Sequence, residues 1–189
     1  MPEGPQGDCS KSRCGTVGLM PIHATAVANE FLDLAAKDGK SLTQMQLQKL
    51  VYIAHGWSLA INNEPLTADQ PQAWDYGPVY PELWEALRKY GKSIVSDKIR
   101  IGDFGFGVFS ENSDEYVTAD LTGRQSELIR KVYEIYGGFH AFQLSAMTHQ
   151  EGTPWHKVFI EKCLKRGPIL NDSIKEHFVD LARKRTQES

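Results

Sequence analysis

A chain of 189 residues with 41% hydrophobic and 24% charged side chains has material for one well-filled core and too little for two ordinary domains. Roughly 70% of the unfolded surface is buried at this size, so the fold does not depend on disulfides or a structural metal. A formal net charge of -3 and a pI near 6.1 argue against non-specific nucleic-acid binding, whose affinity comes from a basic excess that neutralises phosphates.

Residues 1–20 are rich in glycine and proline (Pro2, Gly4, Pro5, Gly7, Gly15, Gly18) and almost without apolar side chains. Such a stretch is expected to be a disordered extension, with Met20 as a candidate native start and residues 21–189 as a single domain. Helical periodicity begins at Ile22. Val27, Phe31 and Leu34 share one face, and Gly39 is a stop signal. Thr43 and Gln46 stand in capping-box spacing before a second helix, whose stripe is Leu47, Leu50, Val51, Ala54 and Ser58 up to about Ile61. Gln70 to Tyr76 reads as extended, because Pro71 and Pro78 disfavour helix in the residue before each. A third helix follows Gly77 with Pro78 and Pro81 in its first turn, lined by Leu83, Trp84, Leu87 and Tyr90 until Gly91.

Ile99-Arg100-Ile101 and Tyr116-Val117-Thr118 pair as a small hairpin around residues 99–118. Between them Gly102-x-x-Gly105-x-Gly107 lacks the strand–turn–helix context of a dinucleotide fingerprint. Thr122 and Gln125 cap a fourth helix with Leu128, Val132 and Ile135 inward, ended by Gly137-Gly138. A short fifth helix spans about 140–147. Thr153 and Pro154 form the N-cap and N1 of a sixth, which runs to Gly167-Pro168. Asn171-Asp172-Ser173 opens the last, with Ser173 and Glu176 in capping-box spacing and Ile174, Phe178, Leu181 and Ala182 buried. The fold class is therefore all-α: about seven short helices with at most a small β element.

Candidate chemistry is sparse. Cys9, Cys14 and Cys163 make no disulfide framework, and Cys163, on an apolar-patterned helix, reads as a small core residue. His156 and Cys163 sit two helical turns apart, too far to share one ion comfortably, so no metal site is expected, and no cofactor signature is present. His55 borders an apolar stripe and reads as a hydrogen-bonded interior histidine, with a catalytic role as the alternative. Ser145, Thr148 and His149 are adjacent without being a triad, because catalytic groups converge from separate segments. A small hydrolase using His55 or His149 is the alternative of another class. Asp75 beside a Tyr-Gly-Pro turn reads as a turn stabiliser rather than half of an acid/base pair with Glu82. The basic run Arg183-Lys184-Arg185 complements a helix C-terminus. No apolar run reaches membrane-spanning length and no secretory signal opens the chain, so a cytoplasmic protein with reduced thiols is expected.

The aromatics carry more. Trp57, Trp74, Tyr76, Tyr80, Trp84, Tyr90 and Trp155 cluster near glycines, prolines and helix ends, either as core or as the rim of a docking groove. The expected contact set is Trp74, Tyr76, Tyr80 and Trp84, with Phe104, Phe106 and Phe109 as a second patch.

Three motifs occur in order: Leu47-Gln48-Lys49-Leu50 through Ala54-His55-Gly56-Trp57, then Ala73-Trp74-x-Tyr76-Gly77-Pro78-Val79, then Leu144-Ser145-x-x-Thr148-His149-x-x-x-x-Pro154-Trp155. Together they resemble the Panacea domain, also called the SocA-like antitoxin or phage-associated GepA-like family, over about residues 22–181. The resemblance implies a mainly helical domain encoded beside a small toxin, which it binds and neutralises in bacteria or phages. One relative acts as an adaptor that delivers its toxin to a ClpXP-type protease. No catalytic residue or cofactor comes with the family, and Asp75 stands where relatives often have lysine. A DNA-binding autorepressor is disfavoured by the acidic balance and the lack of a recognition helix.

Overall fold

The Thr43 hydroxyl accepts from the Gln46 N–H, and the Gln46 side chain returns to the Thr43 N–H at 3.0 Å. This reciprocal cap starts α2 (Gln44–Ile61) where the spacing predicts it. The computed structural model describes residues 22–103 and 114–187, and α2 is the axis of what it describes. Every residue from Leu47 to Leu59 is buried, because α1 (Ala24–Lys37), α3 (Pro81–Leu87), α4 (Gly123–Tyr136), α5 (Ala141–His149) and α7 (Asn171–Gln187) pack around it. The one-faced stripe expected from the sequence is thus a helix buried on all sides. Its polar residues Gln48, Lys49, His55 and Ser58 must find partners inside the protein.

The other helices start and stop for local reasons. The Thr122–Gln125 reciprocal cap opens α4, and Thr153 with Pro154 at N1 opens α6 (Pro154–His156). Gly39 at φ 65 closes α1. The start of α1 is capped from a distance instead: the Asp69 carboxylate accepts from the Ala24 N–H. Pro81 occupies N1 of α3, whereas Pro78 belongs to a strand rather than to that helix. Among the described residues the fold is mainly α, seven helices with one two-stranded antiparallel ribbon.

Four local expectations are corrected by tertiary structure. The ribbon is not at 99–118 but at β1 (Gln72–Trp74) and β2 (Gly77–Val79). Residues 99–101 and 115–117 do pair, Val117 N–H to Ile99 O and Ile101 N–H to Glu115 O at 2.9 Å, but only as an isolated bridge at Arg100 and Tyr116, with the Asn29 side chain taking the Ile99 N–H and the Val117 carbonyl. The sixth helix does not reach Gly167. It widens into a π turn over Lys157–Glu161 and then gives way to an extended segment along β1. Cys163 therefore lies exposed at φ 51 rather than in the core. Ser173 and Glu176 lie inside α7, which begins at Asn171. No described helix is long and apolar enough to cross a membrane. The phenylalanine patch Phe104, Phe106 and Phe109 and the extension 1–20 lie outside the described residues.

The contact between α2 and α7 has no slack at Gly56, where an added Cβ would overlap the Phe178 ring. Phe178 is itself held edge-on by Trp57 at 5.3 Å and Tyr52 at 6.2 Å. Gly56→Ala should therefore destabilise the fold by about 1–3 kcal/mol despite the better helix propensity of alanine. Thermal melting reads this as a drop of roughly 2–4 °C per kcal/mol. An unchanged or raised midpoint would mean that the Phe178 ring yields freely.

Candidate functional site

The ribbon β1–β2 pairs Gln72 with Val79, Ala73 with Pro78 and Trp74 with Gly77, leaving Asp75 and Tyr76 as a two-residue loop. Neither loop residue has a positive φ, so the positive value falls on Gly77, at φ 100. A Cβ at Gly77 would also lie 2.6 Å from the Thr148 hydroxyl and 2.8 Å from Lys49 Cε. Glycine is thus demanded there by backbone conformation and by close approach together. Pro78 lacks an N–H, yet no ladder bond is lost. Its partner Ala73 turns its own N–H to Gly167 O at 2.9 Å and its carbonyl to the Arg166 N–H at 2.7 Å. Ala73 and Pro78 are a non-hydrogen-bonded pair, the position where a strand tolerates proline.

The hairpin's backbone is held by side chains from the two other sequence motifs. From α2, the Lys49 amine donates to Pro78 O at 3.0 Å, while Gln48 accepts from the Tyr80 N–H at 2.8 Å and donates to Tyr80 O at 3.3 Å. From α5, the Ser145 hydroxyl donates to Tyr76 O at 3.1 Å. The indole N–H of Trp155, in α6, donates to Trp74 O at 2.8 Å. His149 packs on the Trp155 ring with centroids 3.9 Å apart and sets Nε2 3.4 Å from Asp75 O. The three motifs thus converge on one turn of chain.

The clamp fixes what the hairpin presents. Tyr76 at its tip is 64% exposed. Trp74 and Trp84 are half-buried and face each other at 5.4 Å, with the Arg166 guanidinium 4.5 Å above the Trp74 ring. Tyr80 is different. It is fully buried where β2 passes into α3, held by Gln48, and burial pushes its hydroxyl well above the usual tyrosine range. All three residues of β2 are buried, Pro78 included, and Tyr80 continues that inward run into α3, so Tyr80 leaves the expected surface set. Sequence reading missed Phe142, 64% exposed on α5 and one turn before Ser145, the residue that holds the hairpin. Its place three residues before Ser145 was the available signal. Asp75 is exposed, and its carboxylate pairs with Lys165 at 3.4 Å.

Neither histidine is arranged for hydrolysis. His55 is fully buried; its Nδ1 accepts from the Thr67 N–H at 3.3 Å, so Nε2 carries the proton shared with Asn171 Oδ1 at 3.0 Å. Burial pulls its pKa below the usual histidine value, and both ring nitrogens are committed to the interior. His149 Nδ1 lies 2.6 Å from Ser145 O, a carbonyl, and so donates to it. The Ser145 hydroxyl is turned to Tyr76 O rather than offered to a base. Among the described residues no group of three or more His, Cys, Asp or Glu side chains is placed to share a metal ion.

Residues 47–156 match the family model described as Antitoxin SocA-like, Panacea domain. The matched stretch opens at Leu47 and closes one residue past Trp155, so it brackets every side chain of the clamp. Antitoxin SocA of Caulobacter vibrioides (strain NA1000 / CB15N) is 31% identical over 140 residues, covering 72% of this chain and 70% of that protein. No solved structure matches the chain.

The buried amine of the clamp has a measurable signature. Burial draws the Lys49 pKa from 10.5 down to about 7, and a neutral amine is served by the single acceptor Pro78 O. Between these values the unfolded chain keeps a proton that the folded chain has released. Stability should therefore rise with pH through that window, the cost being fully present below about pH 7. The slope should approach on the order of 1 kcal/mol per pH unit, and Lys49→Met should abolish it. Urea midpoints from neutral to alkaline pH test this; a flat wild-type profile, or the same slope in Lys49→Met, refutes it.

Proposed function

Because the chain belongs to the SocA-like antitoxin family with a Panacea domain, we propose that it is the antitoxin of a bacterial or phage toxin–antitoxin pair. In this reading it acts in the cytoplasm and silences a small protein toxin, encoded by an adjacent gene, through direct binding. The observation that supports binding is the clamp itself. Four side chains of the family motifs, Gln48, Lys49, Ser145 and Trp155, hydrogen-bond the hairpin backbone while His149 packs beside them, and the hairpin presents Tyr76 and part of Trp74 to solvent. Tryptophan and tyrosine on a rigid turn are the side chains that dominate protein interfaces, because they bury much area while losing little rotamer freedom.

Trp74, Tyr76 and Trp84 are the contact residues of this proposal, and Phe104, Phe106 and Phe109 its second patch. A stable complex needs roughly 1,200–2,000 Å² of buried surface, more than the hairpin tip supplies, so the contact extends beyond it. Expressing the neighbouring small reading frame alone should arrest growth, and co-expressing this chain should restore it. Arrest in both cases would remove the antitoxin reading. Tyr76→Ala should weaken binding about 30-fold, the effect of about 2 kcal/mol, with the melting temperature unmoved. Rescue that is as good as wild type would clear Tyr76 of the role. Toxin abundance during rescue separates the two routes: constant toxin means inhibition, and protease-dependent loss means delivery to a ClpXP-type protease.

A further inference from the structure

The segment after α6 leaves the easiest backbone path three times within ten residues. Lys157–Glu161 is a π turn, closed by the Lys162 N–H on Lys157 O at 3.2 Å. Cys163 at φ 51 and Arg166 at φ 59 then take left-handed conformations that glycine adopts without penalty and these residues do not. Irregular turns of this kind persist only where the surroundings fix them, and they concentrate where a surface has a task. Here the surroundings are β1: the Arg166 N–H and Gly167 O pair with both backbone groups of Ala73.

The outcome of this path is a cationic rim on the aromatic face. Arg166 lies over Trp74 at 4.5 Å, and Lys165 over Phe159 at 5.6 Å. Lys162, Cys163, Leu164, Lys165 and Arg166 are all exposed, with Ile160 and Leu164 each 49% accessible. Of the carboxylates near this rim, Asp75 pairs with Lys165 at 3.4 Å and Glu161 with His156 at 3.2 Å, while on α3 beside Trp84 Glu85 pairs with Arg88 at 2.9 Å and Glu82 is exposed. Lys162 and Arg166 enter no ion pair among the described residues. The chain as a whole is negative, at -3, so this rim runs against the global charge.

We propose that the face made by Trp74, Tyr76 and Trp84 with the loop 162–166 receives an acidic surface of the protein toxin, its apolar anchor lying on the tryptophans and its carboxylates pairing with Lys162 and Arg166. This rests on the antitoxin reading and specifies the partner chemistry of its binding site. Cations on a ring-lined rim steer a negatively charged partner and fix its register, while the aromatic centre supplies affinity. A phosphate backbone would also be attracted, but the net negative charge of the chain opposes a polyanion that extends past the rim.

The test uses the full chain and the purified product of the neighbouring reading frame. Lys162→Glu with Arg166→Glu should slow association about tenfold or more and flatten its dependence on salt. Lys184→Glu on α7 should leave both unchanged. Lys162→Glu alone, at a side chain that stacks on no ring among the described residues, should give part of the effect even where Arg166→Glu disturbs Trp74. Peptide-resolved maleimide labelling gives a second readout, since exposed Cys163 should become about tenfold slower to label in the complex. Wild-type neutralisation with no effect of charge reversal and no protection of Cys163 would overturn this proposal and leave the antitoxin reading standing. Failure of the wild type to bind or neutralise would remove both. Capture of a short single-stranded RNA by the wild type and not by the double variant would reassign the face to nucleic acid and overturn the protein proposal.

Discussion

The hydrogen bond from the Lys49 amine to Pro78 O meets two needs that neither element meets alone. α2 is buried from Leu47 to Leu59 and still carries a lysine, so that amine must find an acceptor away from water or lose its charge. The hairpin, three residues on each strand, is far below the size at which a ribbon is stable by itself, and β2 contains a proline that donates nothing. Setting one against the other satisfies the amine and fixes the strand. Much else follows from that approach. Gly77 must lack a Cβ because Lys49 and Thr148 pass beside it, and Gln48, the next residue on α2, is placed to bracket both backbone groups of Tyr80.

The clamp separates inside from outside along the same few residues. Carbonyls of Trp74, Tyr76 and Pro78 face indole, hydroxyl and amine donors of the body, so the turn cannot shift without orphaning buried polar groups, each worth about 1–3 kcal/mol. With the backbone fixed inward, the side chains at the tip have only solvent to enter. Tyr76 is exposed for this reason, and Trp74 finds partial cover from Trp84, Arg166 and the Gln72 side chain, which accepts from its indole N–H. The outer flank of β1 is closed by the segment 166–169, so the ribbon presents no free edge there for a partner strand. What this face offers to solvent is side chains rather than free strand backbone.

What was legible in the sequence is what is decided within a few residues. The caps Thr43–Gln46 and Thr122–Gln125, Thr153 before Pro154, and the stop at Gly39 all lie where spacing puts them, because donor and acceptor are three residues apart or belong to one backbone torsion. The mainly helical class was equally readable from the period. Decisions made across the chain were not. The Asp69 carboxylate caps α1 from 45 residues away, and Asn29 claims the Ile99 backbone from 70 residues away. The end of α6 is set by pairing with Ala73, which no local rule contains. The three motifs named which residues matter without showing what they do: Ser145 reaches Tyr76 across 69 positions and Trp155 reaches Trp74 across 81. Tyr80 and Tyr76 looked equivalent as aromatics beside a turn, but Tyr76 stands in the loop and Tyr80 follows a strand buried at every position, so one faces out and the other in.

A clamp that grips carbonyls is indifferent to the side chains on the residues it grips. Lys49, Ser145 and Trp155 address Pro78, Tyr76 and Trp74 through oxygen atoms that every residue carries. Only Gly77, for its torsion and its missing Cβ, and Ala73, fully buried in the ribbon, are constrained by identity within the turn. Asp75 and Tyr76 are held in position yet free in chemistry, as are Lys162 and Arg166 on the neighbouring rim. Such an arrangement lets the body of the protein stay constant while the charge and shape of its presented face are set by a handful of exposed positions. Rigid backbone with replaceable side chains is what a binding module needs if related chains are to meet unrelated partners, because preorganisation is retained when specificity changes.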